Sequence, residues 1–201
     1  MKIIGLTGPS GAGKGFCYRL FSKFDIPCID TDDVYHKLLI PPSECVNELE
    51  NIFGKEILDS NGYVDRKILA KIVFSDESHQ KLNILNNITH KYVLEQTKRL
   101  IFEAEKDGKI AVVIDAPLLF EAEFDKHCDF SIAVISDEET RLARIMARDS
   151  LSKDAALMRI RSQMKNDYYV SRAKYTVTNN TDGSELDSQL ERILTVEKII
   201  K

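Results

Sequence analysis

Near its amino end the chain reads Gly8-Pro9-Ser10-Gly11-Ala12-Gly13-Lys14. This is the spacing G-x-x-x-x-G-K. It follows a short apolar run, Lys2 to Thr7, and opens a helical pattern from Lys14 to Phe24. A strand before and a helix after are the context that a phosphate-binding P-loop requires. Gly8, Gly11 and Gly13 let the backbone take positive φ and come close to phosphate oxygens. Consecutive N–H groups then form an anion nest at the positive end of the helix dipole. The expected nucleotide-binding set is Gly8, Gly11, Ala12, Gly13, Lys14, Gly15 and Phe16, with Lys14 reaching the β- and γ-phosphates. A glycine-rich connector without a ligand is the plainer alternative, but the lysine and both flanking elements agree with the loop.

The residue after the loop lysine is normally Ser or Thr, whose hydroxyl binds Mg²⁺. Here it is Gly15, which has no side chain. A carboxylate elsewhere would have to hold the metal. Asp115, at the end of the apolar run Ile110 to Asp115, is a candidate, although a strand-end capping role is open. Asp32 is a second candidate metal group.

A kinase acting on a hydroxyl needs a carboxylate to orient it and accept its proton. Ile29-Asp30-Thr31-Asp32-Asp33 supplies carboxylates after a strand pattern. If the strand persists, Asp30 and Asp32 share one side. The competing reading is an N-cap cluster for the helical pattern through Val34, Leu38 and Leu39. Arg141, Arg144 and Arg148 are spaced by three and four, which puts three guanidiniums on one helix face. Their planar forks suit phosphate oxygens, and a solvated face countered by Glu138 and Glu139 is the alternative.

The elements that would position these groups alternate. Strands are expected at Lys2–Thr7, at 26–30, at 110–115, at 129–135 and, more weakly, at Tyr175–Thr178. The helix after the loop would carry Phe16, Leu20, Phe21 and Phe24 on one side. Ser136 to Glu139 reads as a capping box opening a helix to about Arg148. A terminal amphipathic helix spans Ser184 to Ile199, with Leu186, Leu190, Ile193 and Leu194 inward. The stretch from about Glu44 to Lys106 offers helical patterns only, one after Asp65-Arg66 and others through 77–106. Strands alternating with helices imply α/β architecture, a three-layer P-loop core with a parallel five-stranded sheet. The expected organisation is one P-loop chain: a core at 1–40 and 108–201, a helical acceptor-binding insert at about 41–107, and a lid at about 141–165.

Composition narrows the classes. The chain has 201 residues, a net charge of −4 and 43% hydrophobic residues. Mild acidity argues against a nucleic-acid coat protein. No apolar run reaches the length of a membrane span. Cys17, Cys28, Cys45 and Cys128 lack C-x-x-C spacing and read as reduced thiols. A cytosolic protein is expected. The sequence leaves oligomeric state open, with a monomer preferred.

Taken together, the motifs resemble the dephospho-CoA kinase family over nearly the whole chain. The matching runs include G-L-T-G-P-S-G-A-G-K at 5–14, I-D-T-D at 29–32, G-Y-V-D-R-K-I-L-A at 62–70, D-A-P-L-L-F-E at 115–121 and R-I-M-A-R at 144–148. The resemblance implies transfer of the γ-phosphoryl of ATP, with Mg²⁺, to the ribose 3′-hydroxyl of dephospho-CoA. It implies Asp32 as the catalytic carboxylate, and Arg144 and Arg148 as lid arginines. It places Asn179 beside adenine, and Arg66, His90, Pro117, Leu118 and Leu119 around the acceptor. For His90 a satisfied buried histidine is equally open. The chain departs from the family's common residues at Gly15, at Tyr35-His36, at Lys91 and at Ala173-Lys174. A related kinase for a nucleoside or other small metabolite, or a non-catalytic nucleotide-binding protein, are the alternatives.

Overall fold

The computed structural model describes residues 1–76 and 78–201. The chain divides into two compact units, residues 1–29 with 103–201, and residues 30–102.

The strands are β1 (Lys2–Thr7), β2 (Cys28–Asp30), β3 (Ala111–Asp115), β4 (Phe130–Ile135) and β5 (Tyr175–Thr178), in the order β2-β3-β1-β4-β5. The helices run α1 (Lys14–Lys23), α2 (Thr31–Leu38), α3 (Glu44–Phe53), α4 (Arg66–Phe74), α5 (Gln80–Lys106), α6 (Glu138–Asp149), α7 (Lys153–Arg161), α8 (Asn166–Val170) and α9 (Ser184–Val196).

In the first unit the central strands are mostly apolar because the sheet is covered on both faces. Leu6, Val113, Ile132 and Val134 are fully buried. Pairing is parallel, with Leu6 opposite Asp115, Thr7 opposite Ala133 and Ile135 opposite Thr178. The carboxyl ends of β1, β3, β4 and β5 therefore reach one edge, the edge where open α/β sheets bind ligands. Helix α1 buries Cys17, Leu20 and Phe21, and α9 buries Leu186, Leu190, Ile193 and Leu194, in one cluster with β1, β3, β4 and β5. Phe16 departs from its expected place on this stripe and is 38% exposed. Helices α6 and α7 share a small core of Ile145, Ala156 and Ile160.

The capping box expected at the start of α6 does not form. Asp137 is the N-cap and makes no side-chain cap bond. Asn180 Oδ1 instead accepts from the Asp137 N–H at 2.9 Å and from Ser136 Oγ at 3.1 Å. A residue remote in sequence accepts from the N-cap N–H, the role that local spacing assigned to Glu139.

The second unit is helical, and among its described residues the extended pairing is a single antiparallel bridge, Leu58 with Val64. Its core gathers Leu39, Cys45, Leu49, Phe53, Ile57, Leu69, Val73 and Ile88. The strand does not persist past Asp30, so Asp30 and Asp32 do not share a strand face. Asp30 caps α2, accepting from the N–H groups of Asp32 at 2.9 Å and Asp33 at 3.3 Å. Asp65 caps α4 in the same way. Helix α5 is continuous over its 27 residues. Its expected beginning at Glu77 lies outside the described residues.

Candidate active site

The loop between β1 and α1 is built around backbone that only glycine tolerates. Gly8 has φ 138°, and a Cβ there would sit 2.1 Å from the Val134 carbonyl oxygen. Gly13 has φ 95°, and its Cβ would meet Asn179 Nδ2 at 2.2 Å. Gly15 is different: a Cβ would meet nothing within 4 Å. Lys14 folds back over the loop, its Nζ 3.2 Å from the Gly8 carbonyl and 3.9 Å from Asp115 Oδ1. At the start of α1 the Phe16 N–H donates to the Gly13 carbonyl at 3.0 Å, and the N–H groups of the first two residues, Lys14 and Gly15, lie where a helix lacks its own acceptors and suit an anion.

Asp115 ends β3 and is 7% exposed. The Tyr18 hydroxyl donates to its Oδ2 at 2.6 Å. Tyr18 lies one helical turn beyond Lys14, so the two share a face of α1. That spacing was available in the sequence, but nothing marked the tyrosine as a partner of Asp115. Thr7 Oγ1 lies 3.4 Å from the Pro117 carbonyl, which ties the end of β1 to the segment after β3. Pro117 is half-buried and Leu118 is 53% exposed. Leu119 is fully buried, in the space that a side chain at Gly5 would fill.

All three arginines of α6 reach the loop. Arg141 donates from Nε to the Ser10 carbonyl at 2.9 Å and from Nη2 to Gln163 Oε1 at 3.2 Å. Gln163 Oε1 also accepts from the Ser10 N–H at 2.9 Å. Arg144 donates to the carbonyls of Gly11 at 3.2 Å, Ala12 at 3.3 Å and Asn179 at 3.0 Å, and contacts the Thr181 carbonyl. Its guanidinium carbon sits 6.0 Å from the centre of the Phe16 ring. Burial pulls both arginine pKa values below the usual range, yet a guanidinium stays charged. Arg148 is the exposed member. It pairs with Asp149 at 2.8 Å and approaches Ser10 Oγ at 3.4 Å. Asp149 also contacts Arg159.

Asn179 is fully buried, and its side chain donates to the Ala12 carbonyl at 2.9 Å and accepts from Arg144 at 3.2 Å. Its amide thus clamps the loop. Sequence reasoning did not single out Gln163 or Asn180, since neither has a local pattern that announces a distant backbone partner.

In the second unit, Asp32 is exposed in the first turn of α2. Arg66 Nη1 lies 3.0 Å from His36 Nε2. A guanidinium can only donate, so a hydrogen bond at this contact needs His36 Nε2 as its acceptor. His90, on α5, is half-buried, and burial lowers its pKa. Lys91 is bound to Glu48 at 2.9 Å.

The sequence profile described as dephospho-CoA kinase matches residues 2–185. The chain belongs to the dephospho-CoA kinase family. A relative named dephospho-CoA kinase from Carboxydothermus hydrogenoformans is 38% identical over 98% of this chain and 93% of its own length. One from Arabidopsis thaliana is 36% identical over 96% of this chain and 83% of its own. Among solved structures, a Thermus thermophilus protein aligns with a TM-score of 0.79 at 29% identity, covering 98% of this chain and 97% of its own. The dephospho-CoA kinase of Campylobacter jejuni aligns at 0.61 and 26% identity, with 98% and 97% covered. Shikimate kinase of Acinetobacter baumannii shares the fold alone, at 0.52 and 16% identity over 100% of this chain and 96% of its own. Membership of the dephospho-CoA kinase family makes this chain a phosphotransferase acting on a small molecule, with a nucleotide as the other substrate.

Proposed function

We propose that this chain transfers the γ-phosphoryl group of ATP to the ribose 3′-hydroxyl of dephospho-CoA, giving CoA and ADP. The observation that carries this reading is the family match over residues 2–185, which spans the loop with its lysine. In this reading loop N–H groups between Gly8 and Gly15 hold the phosphates, those of Ser10 and Ala12 being engaged by Gln163 Oε1 and the Pro9 carbonyl, and Lys14 offsets charge on the β- and γ-phosphoryl groups. Asp32 orients the accepting hydroxyl and takes its proton as transfer proceeds. Arg148 exchanges Asp149 for the transferring phosphoryl. Arg144 and Asn179 brace the loop, with Phe16 and Asn179 on the adenine side. Residues 141–165 act as the lid. Residues 41–107 form the acceptor insert, and the acceptor-binding roles fall to Arg66 and His90 in that insert and to Pro117, Leu118 and Leu119 in the core.

Magnesium fits this donor set. A nucleotide-bound Mg²⁺ asks for one or two carboxylates and several waters rather than a protein cage. Asp115 meets that need, with Asp32 as a second candidate. Among the described residues no cluster of three or more metal-ligating side chains competes. When bound, the ion would neutralise charge on the phosphates. A cytosolic, monomeric enzyme suits the reading, and no described helix is long and apolar enough to cross a membrane.

The test is an acceptor screen by coupled ADP release, across dephospho-CoA, nucleosides and nucleoside monophosphates. Acceptor-dependent release is expected with dephospho-CoA. ATP binding without release on any acceptor would refute the proposal. Asp32→Asn is expected to cut turnover by about 10²–10⁴-fold while leaving ATP affinity intact.

A further inference from the structure

We infer that Tyr18 is the positioning residue for the metal-side carboxylate, doing through Asp115 part of what a hydroxyl at position 15 does directly in other P-loops. The inference rests on the Mg²⁺·ATP reading above. Three observations carry it. Gly15 offers no ligand atom, and the space its side chain would take meets nothing within 4 Å, so solvent can stand there. Asp115 is nearly buried at the end of β3, and the Tyr18 hydroxyl holds its Oδ2 at 2.6 Å. That is the short range of a hydrogen bond to a charged acceptor, the stronger class. Lys14 Nζ lies on the other oxygen's side, 3.9 Å from Oδ1.

The phenol therefore fixes the rotation of the carboxylate. With Oδ2 tied to α1, Oδ1 is turned toward the side where Lys14 meets the phosphates. Magnesium demands near-ideal octahedral geometry and keeps several waters, so an ion with no loop hydroxyl depends more on the aim of its carboxylate. Tyr18 is itself held by packing against the core of β1, β3, β4, α1 and α9. Phenylalanine would keep that packing and remove the hydroxyl.

Titration calorimetry of ATP against the full chain tests this, in MgCl₂ and in EDTA, for the wild type, Tyr18→Phe, Gly15→Ser and the double variant. Tyr18→Phe is expected to weaken ATP binding about tenfold in Mg²⁺ and less than about twofold in EDTA. In the Gly15→Ser background the Mg²⁺-dependent loss is expected to shrink to about two- to threefold, because the serine supplies a ligand of its own. Equal losses in Mg²⁺ and EDTA, no loss in Mg²⁺, or an undiminished loss beside Ser at position 15 would each overturn the inference. A wild type that binds ATP equally with and without Mg²⁺ overturns the metal reading as well. A Mg²⁺-dependent wild type with an indifferent Tyr18→Phe overturns the tyrosine alone.

Discussion

Gly8 and Gly15 bracket the loop, and the backbone treats them oppositely. At Gly8 both φ and the Val134 carbonyl forbid a side chain. At Gly15, inside α1, nothing does. Gly8→Ala is therefore expected to cost several kcal/mol, since strain and overpacking act together. Gly15→Ala should add about 0.5–1 kcal/mol through helix propensity. Urea unfolding of the two variants checks both signs. The three arginines divide in the same manner. Arg148→Ala should lower turnover by about 10³-fold or more and change stability by less than about 1 kcal/mol, because Arg148 itself is exposed. Arg144→Ala should destabilise the fold as well, since several loop carbonyls lose a donor. Steady-state kinetics beside thermal melts separate the two cases. The spacing of these arginines was legible in the sequence. Which of them would be spent on backbone was not, because that depends on how deeply each turn of α6 sits against the loop.

At the scale of elements, strands β1, β3 and β4 could be read from apolar runs, since a parallel sheet leaves no polar face to interrupt them, whereas the edge strand β5, with both threonines exposed, was the weaker signal. Helix starts were harder. Ser136 to Glu139 had the right local chemistry for a box, yet the N–H of the N-cap residue Asp137 is held by the distant Asn180. Asp30 and Asp32 had the right alternation for a strand, yet Asp30 turns the chain into α2. In both places a backbone N–H found its acceptor by tertiary proximity or by an early turn, which periodicity does not encode. Asn180→Ala is accordingly expected to cost about 1 kcal/mol. Glu139→Ala should leave stability within about 0.5 kcal/mol. Equilibrium denaturation compares them directly.

Across the whole molecule, ionisable groups follow burial. The thiols of Cys17, Cys28 and Cys128 are pushed up to about 12, and that of Cys45 to about 11, chiefly by desolvation. Thiolate is the reactive form. Native protein at neutral pH should therefore resist alkylation at all four cysteines, and urea should expose them to rapid labelling, as mass spectrometry would count. His90 gives the pH dependence. Its folded pKa is lowered by burial from the usual 6.5, so the unfolded chain takes the proton first as pH falls. The stability this residue contributes is present above about pH 6.5 and declines as pH drops below it toward the folded value. His90→Gln should flatten that part of the curve in melts between pH 7.5 and 5.

The loop is held from outside by cations that grip neutral oxygens. Arg141 and Arg144 spend their donors mainly on carbonyls and amides of the first unit. Ionic strength screens exposed charges over about 8–10 Å but has little hold on a buried guanidinium hydrogen-bonded to a peptide. Brine should thus slow the arrival of a polyanion while the receptacle awaiting it keeps its shape.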